Sequence, residues 1–278
     1  MISKTTISQI RLLHHKKHRD EQGLFLVEGV KSCLEALQSD FEVVKYYVTE
    51  RFNIPDFNHK EHKECTKDTT LNSALCEKPF VHFVVKNNLC TKVSEKEMER
   101  ISCFNTPSEM LCIVKKKQFK IEELTDDKPL LILDSLRDPG NLGTIIRTAD
   151  WFGFEQILCS EACVEYTNPK VIQATMGSFT RVKIVYSNIL QYISTQKERK
   201  IYGLFMNGES IHNQSFNNND VVIIGSESHG VSPTLLPHID KKIMIPNHIH
   251  TKSTPESLNA AIAASIFMYE YRKNELYS

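Results

Sequence analysis

Beginning at Pro129, short apolar runs alternate with segments of helical spacing, and this alternation continues almost to the end of the sequence. The runs are LLILD, QILCS, VKIVY, IYGLFM, VVIIG and KIMIP. Continuous apolar runs of this kind, separated by helices, are typical of strands that are buried on both faces of a parallel sheet. We therefore expect an α/β fold whose ligands bind beyond the carboxyl ends of the strands. The loops after LLILD, VVIIG and KIMIP are the first candidates for a site.

The earlier part of the chain has a different texture. A basic segment of helical character leads into FLVEG, after which KSCLEALQ has helical spacing and EVVKYYVTE indicates a strand. Apolar runs recur at VHFVV and EMLCIVKK. The charged stretch KKKQFKIEELTDDKP then ends in proline, as linkers often do. With about 150 residues per domain as a prior, we predict two domains, 1–117 and 129–278, joined by a linker over 118–128.

The composition excludes several classes of protein. No stretch approaches the ~20 apolar residues of a membrane span, and the polar start lacks the apolar centre of a signal peptide, so we expect a cytoplasmic protein. Eight cysteines without a C-x-x-C pair suit free thiols in a reducing compartment. His59, His62 and Cys65 could be metal ligands, but histidines in such polar segments are usually solvated, and we predict no metal site.

Charge is balanced over the chain, with 34 basic and 34 acidic residues, and so gives no support for tight nonspecific binding to nucleic acid. The first twenty residues are nevertheless basic, with Asp20 as their single acidic residue against Lys4, Arg11, Lys16, Lys17 and Arg19. Two interpretations are open. These side chains contact a phosphate backbone, or they form the solvated basic face of a helix.

Three motifs place polar residues in the loops where we expect a site, and two of them follow apolar strands directly. In LDSLRDPGNLGTIIRTADWFG, the residues Asp138 to Asn141 predict a tight turn, with Asn141 capping a helix that holds Arg147 two turns later. In VVIIGSESHGVSP, a strand runs into Gly225, where glycine allows close approach to a ligand. This loop has neither the G-x-x-x-x-G-K-S/T nor the G-x-G-x-x-G spacing of nucleotide-binding motifs.

The third motif is SLNAAIAASIFMYE, which places Ser257 and Asn259 at the start of an alanine-rich helix. The three segments, in this order, resemble the motifs of the SpoU/TrmH branch of the SPOUT methyltransferases. ATMGSFTRV, residues 174–182, is also similar to the family, and RDEQGLFLVEGVKSCLEAL resembles its amino-terminal substrate-binding domain.

The resemblance implies an α/β parallel-sheet SPOUT domain with a carboxyl-terminal trefoil knot, preceded by a smaller α/β RNA-binding domain. It implies methyl transfer from S-adenosylmethionine to a ribose 2′-hydroxyl, with ribosomal RNA the first choice of substrate and transfer RNA the second. It also implies a homodimer, because each active site borrows residues from the neighbouring subunit. By motif position, cofactor contacts fall at Gly225, Ile245 and Leu258, and the active-site residues are Asn141, Arg147, Glu227, Ser257 and Asn259.

An arginine base has been suggested for this family, but a guanidinium holds its proton at biological pH, so we expect Arg147 to anchor a phosphate. Glu227 could orient Arg147 or a backbone amide. The sequence departs from the family where Ser226 and Ser228 replace an asparagine and a glycine, and where a longer loop follows Pro246. The alternative of another class is a non-catalytic RNA-binding or assembly protein that keeps the fold.

Overall fold

The computed structural model describes residues 1–52, 89–196, 198–247 and 257–273. The apolar run VHFVV and the residues His59, His62 and Cys65 lie outside these ranges. In the described part of the chain no helix is long and apolar enough to cross a membrane.

The first part of the chain folds around a four-stranded sheet in the order β1-β4-β2-β3, in which β2 and β3 are parallel and the other pairs antiparallel. Its strands are β1 (Leu24–Glu28), β2 (Val43–Thr49), β3 (Cys90–Val93) and β4 (Met110–Lys115). Its helices are α1 (Lys4–Leu12), α2 (Lys16–Gln22), α3 (Val30–Gln38) and α4 (Glu95–Ile101).

Alternation along β1 explains how this sheet is covered on both faces. Leu26 points into a cluster with Ile10 of α1 and Met98 of α4. Phe25 and Val27 point to the opposite face, which α3 covers. Successive side chains of a strand alternate between faces, so a single apolar strand supplies both layers of core.

The second part of the chain forms a six-stranded sheet in the order β10-β8-β9-β5-β6-β7, and every pair in it is parallel. Its strands are β5 (Leu130–Leu133), β6 (Gln156–Cys159), β7 (Lys183–Tyr186), β8 (Ile201–Ser210), β9 (Val221–Ile224) and β10 (Lys241–Met244). Its helices are α5 (Pro139–Trp151), α6 (Pro169–Thr175), α7 (Ile189–Ile193) and α8 (Ala260–Arg272).

Both faces of this sheet are buried, as the continuous apolar runs predict. Leu131 and Leu133 belong to the cluster that α5, α6 and α8 cover, whereas Leu130 and Ile132 pack in a second cluster on the α7 side. The predicted α/β fold with a parallel sheet is thus confirmed. The threading of the carboxyl-terminal segment into a knot stays a prediction of the family resemblance.

The two sheets share a continuous core. Phe25 and Phe41 of the first part lie 6.0 and 5.4 Å, ring centroid to centroid, from Phe179 of the second, and Phe25 is also 6.0 Å from Tyr166. Edge-to-face aromatic contacts of this kind add to the free energy gained from burial. The two parts therefore form one packed unit, and their relative position is fixed.

Candidate active site

Helix α5 begins directly after the loop that follows β5, and Asp138 caps it. The Asp138 carboxylate accepts a hydrogen bond from the backbone N–H of Asn141 at 2.7 Å, and Pro139 is the first helical residue. The prediction that Asn141 caps this helix is therefore wrong, because Asp138 precedes a proline that suits the first turn and takes the cap position itself. The side chain of Asn141 is left free for other contacts.

Asn141 joins all three motifs through its carboxamide. Its Nδ2 donates a hydrogen bond to Glu227 Oε1 in the loop after β9, and its Oδ1 accepts one from Asn259 Nδ2 at 2.9 Å. The structure thus brings together three of the five predicted active-site residues. The three residues come from separate segments of the chain, and two hydrogen bonds join them as Glu227–Asn141–Asn259.

Asn259 holds its position because it also caps α8, as the sequence predicts. Its Oδ1 accepts hydrogen bonds from the backbone N–H groups of Ala261 at 2.9 Å and Ile262 at 3.2 Å. Using the oxygen as the cap leaves Nδ2 available for Asn141. Ser257 lies two residues earlier and is exposed, and its hydroxyl makes no hydrogen bond within the described residues.

The loop that presents Glu227 is closed by two backbone hydrogen bonds between Ser226 and Gly230, of 3.1 and 2.9 Å. Gly225 precedes the turn so closely that a Cβ there would lie 2.0 Å from the carbonyl carbon of Gly230. Ser228 replaces the family's glycine without backbone strain, because Ser135 and Met176 are the non-glycine residues with positive φ in the described chain. The family departure is therefore accommodated.

Asp134 ties this loop to the loop after β5, a role that the sequence did not reveal. It is a buried carboxylate at the end of LLILD. Its Oδ2 accepts a hydrogen bond from the Ser232 N–H at 2.7 Å, and its Oδ1 accepts one from the Ser135 hydroxyl at 3.1 Å. An acidic residue that ends a fully buried strand was the available signal, since burying a charge requires such partners.

Arg147 lies farther along α5, exposed, and forms no hydrogen bond or ion pair with any residue that the structure describes. Glu227 contacts the Asn141 amide, and the expectation that it orients Arg147 is not met in this structure. A guanidinium without a protein partner presents all of its donors to an external anion.

The family resemblance assigns three residues to the cofactor, and the structure describes the position of each. Gly225 follows β9, Ile245 follows β10 and packs partly buried against the core, and Leu258 is an exposed apolar side chain next to Asn259. A glycine whose side-chain position is already filled by backbone, close to apolar side chains, suits recognition of an adenosine through main-chain groups. These residues fit S-adenosylmethionine.

Cys163 lies behind the loop after β5 and contacts its backbone. Its sulfur accepts a hydrogen bond from the Leu136 N–H at 3.2 Å and is 3.2 Å from the Leu133 carbonyl oxygen. A hydrogen bond from the Cys159 thiol lowers the pKa of Cys163 to about 7, whereas the same contact and burial raise the pKa of Cys159. The described residues contain no group of three or more histidine, cysteine or acidic side chains that could hold a metal.

A parallel α/β sheet with a polar cluster and a glycine turn at the carboxyl ends of its strands is typical of the ligand-binding α/β enzymes. The chain belongs to the SpoU rRNA methylase family, whose model matches residues 128–269, and the model of an MRM3-like substrate-binding domain matches residues 4–112. It is an RNA methyltransferase that uses S-adenosylmethionine.

Relatives extend the similarity over nearly the whole chain. The chain is 27% identical over 263 residues to the 23S rRNA (guanosine(2553)-2′-O)-methyltransferase RlmP of Bacillus subtilis, covering 94% of this chain and 93% of that protein. A TrmH-family structure from Porphyromonas gingivalis matches with a TM-score of 0.79 at 27% identity and covers 99% of both chains. An AdoMet-bound rRNA methyltransferase from Sinorhizobium meliloti matches at 25% identity, with a TM-score of 0.78 and coverage of 99% and 97%.

Proposed function

We propose that this enzyme methylates a ribose 2′-hydroxyl in ribosomal RNA, with the Glu227–Asn141–Asn259 chain and Arg147 as its active site. The observation that carries this proposal is the meeting of the three motifs in one hydrogen-bonded chain. It is supported by relatives whose names specify rRNA substrates. We assign residues 1–117 to RNA binding and 129–278 to methyl transfer, and we infer a cytoplasmic location from the ribosomal substrate.

Methyl transfer is an in-line displacement, so the protein must align the ribose oxygen and help its proton to leave. S-adenosylmethionine supplies an activated methyl group on a sulfonium. Arg147 binds the phosphate next to the target ribose and fixes the position of the nucleotide. Glu227 Oε1 accepts a hydrogen bond from Asn141, and we assign to its other oxygen the role of accepting the hydroxyl proton. Ser257 and Asn259 complete the polar wall around the ribose.

The experiment that tests this function follows tritium from labelled S-adenosylmethionine into unmodified ribosomal RNA and transfer RNA, with digestion to nucleosides afterwards. For the wild-type protein we expect label in a 2′-O-methylnucleoside from ribosomal RNA. Label in transfer RNA alone would identify transfer RNA as the substrate. Tight cofactor binding with no transfer into either RNA would favour the non-catalytic RNA-binding alternative.

Arg147→Ala should lower the rate of methyl transfer by about a hundredfold or more, since misplacing the substrate has this order of effect. Cofactor binding, measured by calorimetry, should be unchanged. Arg100→Ala is the matched control, because Arg100 is also an exposed helical arginine without an ion pair among the described residues. Full activity of Arg147→Ala would remove Arg147 from the active site.

We also propose a homodimer that forms through adjacent faces of α5 and α8. Trp151 is 84% exposed, Ile262 51% and Tyr269 47%. The helices lie side by side, with the Phe152 and Tyr269 ring centroids 6.4 Å apart. Exposed apolar patches of this kind mark interaction surfaces. Arg147 lies one helical turn before Trp151, so a partner on this face would border the active site.

A further inference from the structure

A cavity of about 210 Å³ lies between the first part of the chain and helix α6. Its walls come from the start of α3, the segment before β4, and the end of α6, which contributes Gln173 and Met176. Pockets for cofactors usually measure about 300–1,000 Å³, so this cavity suits a ligand that is smaller than S-adenosylmethionine. Because the two parts share one core, its walls are held in place.

One wall is the amino-terminal end of α3. Gly29 occupies the cap position with φ 110° and offers no side-chain cap. The backbone N–H groups of Val30, Lys31 and Ser32 have no intrahelical acceptor at this end of the helix. Lys31 is exposed and forms no ion pair within the described ranges. Amide donors and an ammonium group together favour an anion such as a phosphate.

Ser32 is an independent indication of a ligand. Its side chain is only 3% exposed, lines the cavity, and makes no hydrogen bond to any described residue. Its hydroxyl is therefore available to a group that binds in the cavity. The neighbouring carboxylate of Glu28 is not the partner of Ser32, because its oxygens accept hydrogen bonds from other groups. Their donors are the Ser102 hydroxyl and the backbone N–H groups of Cys103 and Ser108.

The remaining walls combine apolar and neutral polar groups. Phe104 and Met176 supply apolar surface, and Thr106 and Gln173 supply a hydroxyl and a carboxamide that make no hydrogen bonds within the described chain. Bases of single-stranded RNA bind by stacking on aromatic and apolar side chains and by hydrogen bonds to their edges. The lining therefore fits a nucleobase next to its phosphate.

Helix α6 connects this cavity to the active site. Val171 and Ala174 face α5, where a Cβ on Gly143 would lie 2.5 Å from the Ala174 side chain. Gln173 and Met176 are on the opposite side of α6 and line the cavity. Helix α5 carries Asn141 and Arg147. Helix α6 therefore lies between the cavity and the helix that carries Asn141 and Arg147.

We propose that this cavity binds one unpaired nucleotide of the RNA that carries the target ribose. Its phosphate lies at the start of α3 with Lys31, Ser32 bonds to it, and its base lies against Phe104 and Met176. This inference rests on the proposed function, since it assigns a second contact to the same RNA substrate.

The test uses the full chain and a single-stranded RNA oligonucleotide that contains thiouridine. Crosslinking with near-ultraviolet light, followed by mass spectrometry, should map the thiouridine to the segment that contains Phe104 and Thr106 or to that of Gln173 and Met176. Lys31→Ala should raise the KM for RNA about tenfold and leave kcat and cofactor affinity unchanged. For the same variant, the slope of the logarithm of the RNA binding constant against the logarithm of the salt concentration should decrease in magnitude by about 0.7.

Lys96→Ala is the matched control, because Lys96 is also the second residue of a helix and is exposed. It should behave as wild type. Ser32→Ala, which keeps the fold but removes the hydroxyl, should weaken RNA binding in the same direction as Lys31→Ala. Crosslinks elsewhere, with equal KM for Lys31→Ala and Lys96→Ala in an active enzyme, would overturn the cavity assignment alone. Failure of the proposed function would instead appear as an enzyme that methylates no RNA, and crosslinking would still decide the cavity.

Discussion

Gly225 is the residue at which the second motif tolerates the least change. A Cβ there would lie 2.0 to 2.3 Å from the backbone of Gly230 and Val231. We expect Gly225→Ala to lower the free energy of unfolding by about 2–4 kcal/mol and to abolish cofactor binding, because the backbone of the turn must move.

Gly230→Ala is the informative comparison. Gly230 has φ 66°, but nothing lies within 4 Å of a Cβ built there. Its substitution should therefore cost only about 1–2 kcal/mol, from left-handed backbone strain. Urea unfolding and calorimetric titration with the cofactor measure both variants. Equal effects of the two substitutions would mean that the turn relaxes around Gly225.

Cys163 should be the most reactive of the described cysteines near neutral pH. Its sulfur lines a cavity of about 390 Å³ and its pKa is about 7, whereas burial raises the pKa of the Cys33 thiol. Alkylation by iodoacetamide, followed by mass spectrometry over a pH series, should show half-maximal rate at Cys163 near pH 7. A midpoint near the ordinary value of 9.0 would contradict the Cys159 hydrogen bond as its cause.

The lowered pKa of Cys163 also makes the free energy of unfolding depend on pH. A thiol whose pKa is lower in the folded state than in the unfolded state contributes stability that is present above pH 9.0 and is lost as the pH falls through about 7. Cys163→Ser should therefore flatten the rise in unfolding free energy between these two pH values. A curve with the slope of the wild type would show that another group controls this window.

The residues of the three motifs could be assigned from the sequence because the three segments, in combination and in this order, resemble those of a known family. The contact between Asn141 and Glu227 could not, because it depends on which loops the sheet brings together. Asp138 shows the same limit on a smaller scale. Both Asp138 and Asn141 are good caps, and only the position of Pro139 in the first turn decides between them.

Helix α2 illustrates how a basic segment divides between surface and core. The sequence left its side chains open to either RNA contact or solvent, but Arg19 is 2% exposed and pairs with Glu165 of the other sheet's loops. It also donates hydrogen bonds to the carbonyl oxygens of Leu13 and His14, at 2.9 and 2.8 Å. Arg19 therefore holds helix α2 against the rest of the protein and is not available to RNA.

We expect Arg19→Met to lower the free energy of unfolding by about 3–5 kcal/mol, because it leaves the Glu165 carboxylate in a largely buried place without its partner. Adding Glu165→Gln should recover part of the loss. Lys17→Met, on the exposed face of the same helix, is the control and should change stability little. Urea denaturation of the wild type, Arg19→Met, Glu165→Gln and the double variant gives the cycle, and equal losses for Arg19→Met and Lys17→Met would rule out a stabilising pair.

At the scale of elements, the strands were predictable because apolar runs in a parallel sheet are continuous. Their order was not, since β8 inserts between β9 and β10 although it precedes both in the chain. Sheet order is set by contacts between distant segments, which periodicity within one segment does not record. The family resemblance predicted a parallel sheet but did not give the order of its strands.

At the scale of the whole molecule, the proposed dimer through the face of α5 and α8 can be followed by tryptophan fluorescence. Trp151 is the single tryptophan of the chain and lies on that face. Its burial in an interface, which for stable complexes covers about 1,200–2,000 Å², should shift its emission to shorter wavelength. Dilution should reverse the shift as the dimer dissociates.

Trp151→Glu should yield a monomer in sedimentation experiments, because it places a charge in the centre of an apolar contact. Leu190→Glu, at an exposed apolar site on α7, is the control and should leave the dimer intact. If the interface also completes the active site around Arg147, the monomer will lose methyl transfer while its circular dichroism stays native. A wild-type protein that sediments as a monomer at micromolar concentration, with tryptophan emission independent of dilution, would contradict both the dimer and this role.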